Sequence, residues 1–194
     1  MKGVFKLNKF FLYFIIIILF SSLFISTIYS NPINYTFKTQ NLNYHYNHNY
    51  IFEWPLENNF YISSHFGKRT HPITQKTSYH SGIDIPAAEQ TNIFSISDGT
   101  VSFTGFLGAN GYSIIINYNS FQIIYSHVSP NFIVTKNDTI FSNQLIGFVG
   151  PKFLTTQTPY LDSTGYYLNG LTTAPHLHLC IKKDGQAVNP LDYL

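Results

Sequence analysis

A histidine and an aspartate stand four residues apart in YHSGIDIPA, residues 79–87, with Gly82 between them. His80 and Asp84 are both donors that a divalent transition metal accepts. Read as a strand, the segment puts His80, Gly82 and Asp84 on one face, and Ile83 and Ile85 on the other, towards a core. A flat strand would hold the Cα atoms of the two donors ~13 Å apart, from ~3.3 Å per residue. That is too far for ligands that must each lie ~2.0–2.2 Å from one ion. The backbone must bend, and Gly82 is the residue that permits it. Alone, such a pair also occurs as a hydrogen-bonded surface pair. Two further segments add to it. In TTAPHLHLC, residues 172–180, His176 and His178 share one face of a β-like run, ~6.6 Å apart at Cα, and Leu177 and Leu179 take the other. Two same-face histidines in an apolar strand are costly unless paired or ligated. In IIYSHVSP, residues 123–130, His127 closes an apolar strand.

The elements that must position these residues read as strands. Charge is sparse, and Tyr and Phe are frequent, which favours strands over helices. Tyr61–Ser64 reads as a strand leading into a turn at Phe66–Arg69. Asn92–Ser97 and Gly99–Phe106 follow, then Tyr112–Tyr118 and Phe121–His127 as a hairpin turning at Asn119-Ser120. Short strands are expected at Phe132–Val134, Gln144–Val149 and His176–Lys182. Asn137-Asp138 and Asn143-Gln144 are expected left-handed turn positions, because Asn tolerates positive φ better than other residues with side chains. Almost nothing carries a helical period. The expected fold is all-β, an antiparallel sandwich or distorted barrel of short strands. Residues 151–171 exceed an ordinary hairpin loop and are expected to form a rim.

The N-terminus is separate in character. Lys2, Lys6 and Lys9 precede an almost wholly apolar run, Phe10–Ile28. Residues 1–30 read as an export signal or, uncleaved, as a membrane anchor through residues 10–28. Residues 31–51 read as an Asn- and Tyr-rich linker holding His45 and His48, which leaves 52–194 as the domain. Export places it in the periplasmic or cell-wall space. The leader lysines outweigh the net charge of +2, so the exported part is near neutral. No basic stripe points to nucleic acid, and contact with a membrane is expected only through the N-terminal segment. The single cysteine, Cys180, excludes an internal disulfide.

Taken together, SSHFGKRTHPIT, HSGIDIPA, SDGTV, YSHVS, LIGFVG, APHLHL and VNPLDYL occur in an order that resembles the zinc metallopeptidases of the lysostaphin and LytM type, family M23. The resemblance spans about Phe52 to Leu194. It implies one zinc ion per chain held by His80, Asp84 and His178, with His127 and His176 as catalytic histidines. It implies hydrolysis of amide bonds in peptidoglycan stem peptides or cross-bridges, with protein regulators unidentified. Zinc with three protein ligands keeps one position open for water, lowers that water's pKa towards ~7 and polarises a carbonyl. One unligated histidine would take and return the proton, and the other would stabilise the oxyanion. Some relatives have lost zinc ligands and act as scaffolds or activators of other wall hydrolases, which is the alternative reading. Two positions depart from the pattern. Ala174 replaces a common glycine, and Cys180 replaces a common glutamate on the face of His176 and His178, either as a plain strand residue or as a thiolate near the metal. Arg69 and His71 resemble groove-lining residues.

Overall fold

The computed structural model describes residues 51–70 and 76–194. The apolar leader, the linker with His45 and His48, and His71 lie outside the described residues. Among the described residues there is no α-helix, only two short 3-10 turns at Gly108–Asn110 and Pro190–Asp192. In chain order the strands are β1 (Gly67–Thr70), β2 (Thr77–His80), β3 (Ile83–Pro86), β4 (Asn92–Phe94), β5 (Gly99–Phe106), β6 (Tyr112–Tyr118) and β7 (Phe121–Ser126). They continue with β8 (Thr139–Ile140), β9 (Leu145–Phe148), β10 (Phe153–Leu154), β11 (Tyr167–Leu168), β12 (His176–Lys183) and β13 (Gln186–Val188).

Seven strands make one antiparallel sheet in the order β13-β12-β7-β6-β5-β8, with β3 also paired to β12. The long strand β12 divides one edge between two partners. Its first half pairs with β3, and its last residues pair with β13. Three two-stranded pairs, β1-β2, β4-β9 and β10-β11, complete the architecture. Alternation along β12 decides what each face does. Leu177, Leu179 and Ile181 are fully buried in the main core, with Ile83 and Ile85 of β3 and Ile123 and Tyr125 of β7. Ile93, Ile146 and Phe52 belong to the same core, so the β4-β9 pair and the chain near Phe52 pack on this face. The opposite face of β12 carries His176, His178 and Cys180. A sheet with one face committed to a core has its register strongly fixed, and that register sets Asp84 directly opposite His178.

The two expected left-handed positions are left-handed, with φ of +80° at Asn137 and +61° at Asn143. The hairpin turn at Asn119 is left-handed too, at +50°, as are Asn58, Gln90 and Asp184, which were not foreseen. Three readings are corrected. Gly67–Thr70 is not a turn but a strand paired with Thr77–His80. Tyr61–Ser64 makes only an isolated bridge between Ser64 and Asp84, and Phe132–Val134 is irregular. In the first case the pairing partner is a separate segment, Thr77–His80, so local composition does not announce it.

Candidate metal centre and active site

β2 ends at His80 and β3 begins at Ile83, so the chain breaks its strand at Ser81-Gly82. The break brings His80 and Asp84 to one point. Gly82 is needed there for close approach rather than for positive φ. A Cβ on Gly82 would stand 2.8 Å from the carbonyl carbon of Leu179, nearer still to its oxygen, and 3.0 Å from His178 Cε1. Only a residue without a side chain lets β3 run against β12 at the level of His178.

Three donor atoms converge as a result. His80 Nε2 lies 2.9 Å from His178 Nδ1 and 3.1 Å from Asp84 Oδ1. His178 Nδ1 lies 2.8 Å from Asp84 Oδ1. Among the described residues, His80, Asp84 and His178 form the group whose ligand atoms are close enough for one metal ion. Tetrahedral ligands at ~2.0–2.2 Å stand ~3.3–3.6 Å apart. The three atoms are a few tenths of an ångström closer than that, a difference that side-chain rotation supplies. Two of the donors are also held from behind. His80 Nδ1–H donates to the His65 carbonyl at 2.9 Å, which turns Nε2 towards the centre. Asp84 turns its other oxygen, Oδ2, to the Arg69 guanidinium at 3.2 Å, and Arg69 also reaches the Ser64 hydroxyl. Asp84 therefore presents one oxygen to the histidines and one to arginine.

The two remaining histidines flank this centre. The His127 ring is 4.7 Å from that of His176 and 6.2 Å from that of His178, centre to centre. His176 Nε2 is 3.5 Å from Asp84 Oδ1. Its Nδ1 lies 2.8 Å from the Ala174 carbonyl. His127 Nδ1 lies 2.7 Å from the Asn169 carbonyl. All five residues line one open cleft of about 210 Å³, together with Arg69, Tyr79 and Leu171. A second hollow, between Lys152, Leu161 and Leu168, shares Leu171 and Thr173 with the first. The hairpin β10-β11 thus stands beside the cleft, as the length of residues 151–171 suggested.

The electrostatics follow from burial and crowding. Burial works to raise the Asp84 pKa, but hydrogen bonds from His176, His178 and His80 overcome it, and the carboxyl sits well below the usual range. Burial lowers the His178 pKa, with His80 and His176 acting in the same direction against Asp84. Burial, and then the neighbouring His176 and His178, push His127 down to about 3. Asp84 is held as an anion while His127 and His178 are biased towards the neutral form, an arrangement that suits a cation.

Two residues stand apart from it. Cys180 is buried beside Ile115 and Ile124, burial raises its thiol pKa, and it is outside the donor group. Tyr125 is fully buried in the core and accepts the Ile96 N–H at 2.9 Å. Ser64, the His65 carbonyl and Asn169 escaped sequence reasoning, because each acts through a backbone atom or a contact distant in the chain.

The fold and the site together define an all-β domain with a candidate metal centre on an open cleft. Residues 78–190 match peptidase family M23, more than half of the chain, and the chain belongs to that family. Over 131 residues it is 33% identical to the DD-carboxypeptidase/endopeptidase Mpg of Neisseria meningitidis serogroup B, covering 67% of this chain and 26% of that protein. Csd3 of Helicobacter pylori superposes with a TM-score of 0.55 at 31% identity, covering 75% of this chain and 35% of that one. The catalytic domain of lysostaphin from Staphylococcus simulans does so with a TM-score of 0.54 at 22% identity, covering 69% and 91%, a likeness of fold. The chain spans about a quarter of the length of curated relatives such as Mpg.

Proposed function

We propose that this protein is a zinc-dependent endopeptidase that hydrolyses amide bonds in the stem peptides or cross-bridges of peptidoglycan. The observation that carries this reading is the convergence of His80 Nε2, Asp84 Oδ1 and His178 Nδ1 beside two further histidines on an open cleft. Two imidazole nitrogens and one carboxylate oxygen suit zinc, and three protein donors are the complement of a catalytic rather than a structural site. When bound, zinc supplies Lewis-acid polarisation of a carbonyl and activation of water at neutral pH. The Arg69 contact holds Asp84 to a single donor oxygen. His127 begins turnover neutral and accepts a proton at Nε2, which it returns to the leaving amine. His176, on the same cleft beside Asp84, faces the carbonyl oxygen and stabilises its developing charge. The β10-β11 hairpin and Leu171 form the wall that holds the peptide on one side.

Residues 1–30 deliver or tether the chain outside the cytoplasmic membrane, 31–51 serve as the linker, and 52–194 carry the activity. Cell fractionation tests the placement. The chemistry is tested by measuring zinc per chain in the purified protein and identifying the muropeptides it releases from walls of defined composition. One zinc per chain and chelator-sensitive release of new amine termini are expected. Bound zinc with no release from any wall type refutes the enzymatic reading in favour of a scaffold.

A further inference from the structure

The conformation of His127 is unusual, and one distant side chain controls its surroundings. Its φ is +58°, in the left-handed region that residues with a Cβ rarely enter. The backbone is pinned there by two bonds: His127 N–H donates to the Asn110 carbonyl, and Gly150 N–H donates to the His127 carbonyl, each at 2.9 Å. The ring is fixed by the bond from Nδ1 to the Asn169 carbonyl at 2.7 Å.

Asn169 is fully buried, and every polar atom it carries is engaged. Its Oδ1 accepts the Tyr112 N–H at 2.8 Å. Its Nδ2–H donates to the Val128 carbonyl at 3.0 Å. Its own N–H donates to the Lys152 carbonyl at 2.9 Å. The side chain therefore joins the start of β6 to the residue after His127, while its carbonyl receives the ring. A carboxamide offers an acceptor and a donor on separate atoms, as two backbone groups on different segments require. Space is tailored to it as well, since a Cβ on Gly111 would stand 2.6 Å from the Asn169 carbonyl carbon.

We propose that Asn169 is a positioning residue for the hydrolytic reaction, locking His127 as the Nδ1–H tautomer so that Nε2 is the free lone pair at the cleft. The consequence for rate rests on the peptidase reading, whereas the tautomer does not. Long-range 1H–15N NMR on the full-length, metal-free protein is expected to show the His127 proton on Nδ1. A proton on Nε2 overturns the proposal without any variant, and this measurement decides even where a variant fails to fold. In Asn169→Ala, which loses both side-chain bonds, and Asn169→Asp, which keeps an acceptor for Tyr112 but turns an oxygen on the Val128 carbonyl, His127 is expected to populate both tautomers. Both variants should keep one zinc per chain and an unchanged KM while kcat falls ~10–100-fold, the usual size for loss of an orienting partner. An unchanged tautomer with unchanged kcat, or zinc lost along with activity, overturns it, the latter because Asn169 would then support the whole centre. Failure of the wild-type protein to release muropeptides would sink the peptidase reading and leave the tautomer measurement to judge Asn169.

Discussion

Gly82→Ala adds one methyl group at the point where the strand carrying Asp84 passes the strand carrying His178. The new carbon would stand 2.8 Å from the Leu179 carbonyl carbon, and 3.0 Å from His178 Cε1. Non-bonded carbons settle at ~3.5–4.0 Å, so β3 and β12 must part by about 0.7 Å or more. Most of the obstruction is backbone, which does not rotate away. Overpacking of this kind costs ~1–3 kcal/mol. The pairs Asp84–His178 and Ile83–Leu179 take the displacement directly, and a 1 Å misplacement at a catalytic centre costs ~10²-fold in rate. Urea unfolding of the metal-free protein should register the stability loss, and zinc titration against a competing chelator should show affinity at least ~10-fold weaker, as for loss of an orienting contact. Gly147→Ala is the control. It lies in β9, and an added methyl meets only the flexible end of Ile114 at 3.0 Å. A Gly82→Ala protein with the unfolding midpoint and zinc affinity of the wild type would refute the account of why glycine stands there.

His178→Ala should lose zinc, whereas His176→Ala should retain it and lose turnover, as read by metal content and muropeptide release. Arg69→Met frees Asp84 Oδ2 and should weaken zinc binding ~10–100-fold with the fold intact, measured by chelator competition and circular dichroism. Because His127 is pushed down to about 3 while its unfolded value is ~6.5, the unfolded chain binds the extra proton between those values. Stability of the metal-free protein should therefore fall as pH drops below ~6.5, by up to ~1.4 kcal/mol per pH unit from this group. His127→Asn, which tolerates the left-handed backbone and does not titrate, should flatten that slope in urea unfolding at pH 5 and 8. Left-handed strain of ~1–3 kcal/mol also predicts that His127→Gly is more stable to urea than His127→Ala.

Period-two alternation was enough to place Ile83, Ile85, Leu177 and Leu179 in the core and His176 and His178 on the other face, because the sheet has one buried side. Asparagine chemistry marked the turns at positions 137 and 143 for a local reason, tolerance of positive φ. What escaped is non-local. Gly82 was read as a bend, but its need comes from Leu179, a partner near the far end of the chain. The left-handed backbone of His127 has no signature in IIYSHVSP, since it is imposed by bonds from Asn110 and Gly150. The gathering of His80, Asp84 and His178 was legible only in part. Spacing nominated each pair, and the register between β3 and β12 is what joins them.

The β10-β11 hairpin leaves the body and returns at one place, closed by the bond from Asn169 N–H to the Lys152 carbonyl. A loop fastened at its neck changes length at an entropic cost that grows only logarithmically. No pairing between β3 and β12 passes through it. The hairpin and the donor-gathering register thus reside on separately heritable parts of the chain. A lineage, or an engineer, could exchange everything above the neck while the register beneath, which sets Asp84 opposite His178, stays untouched.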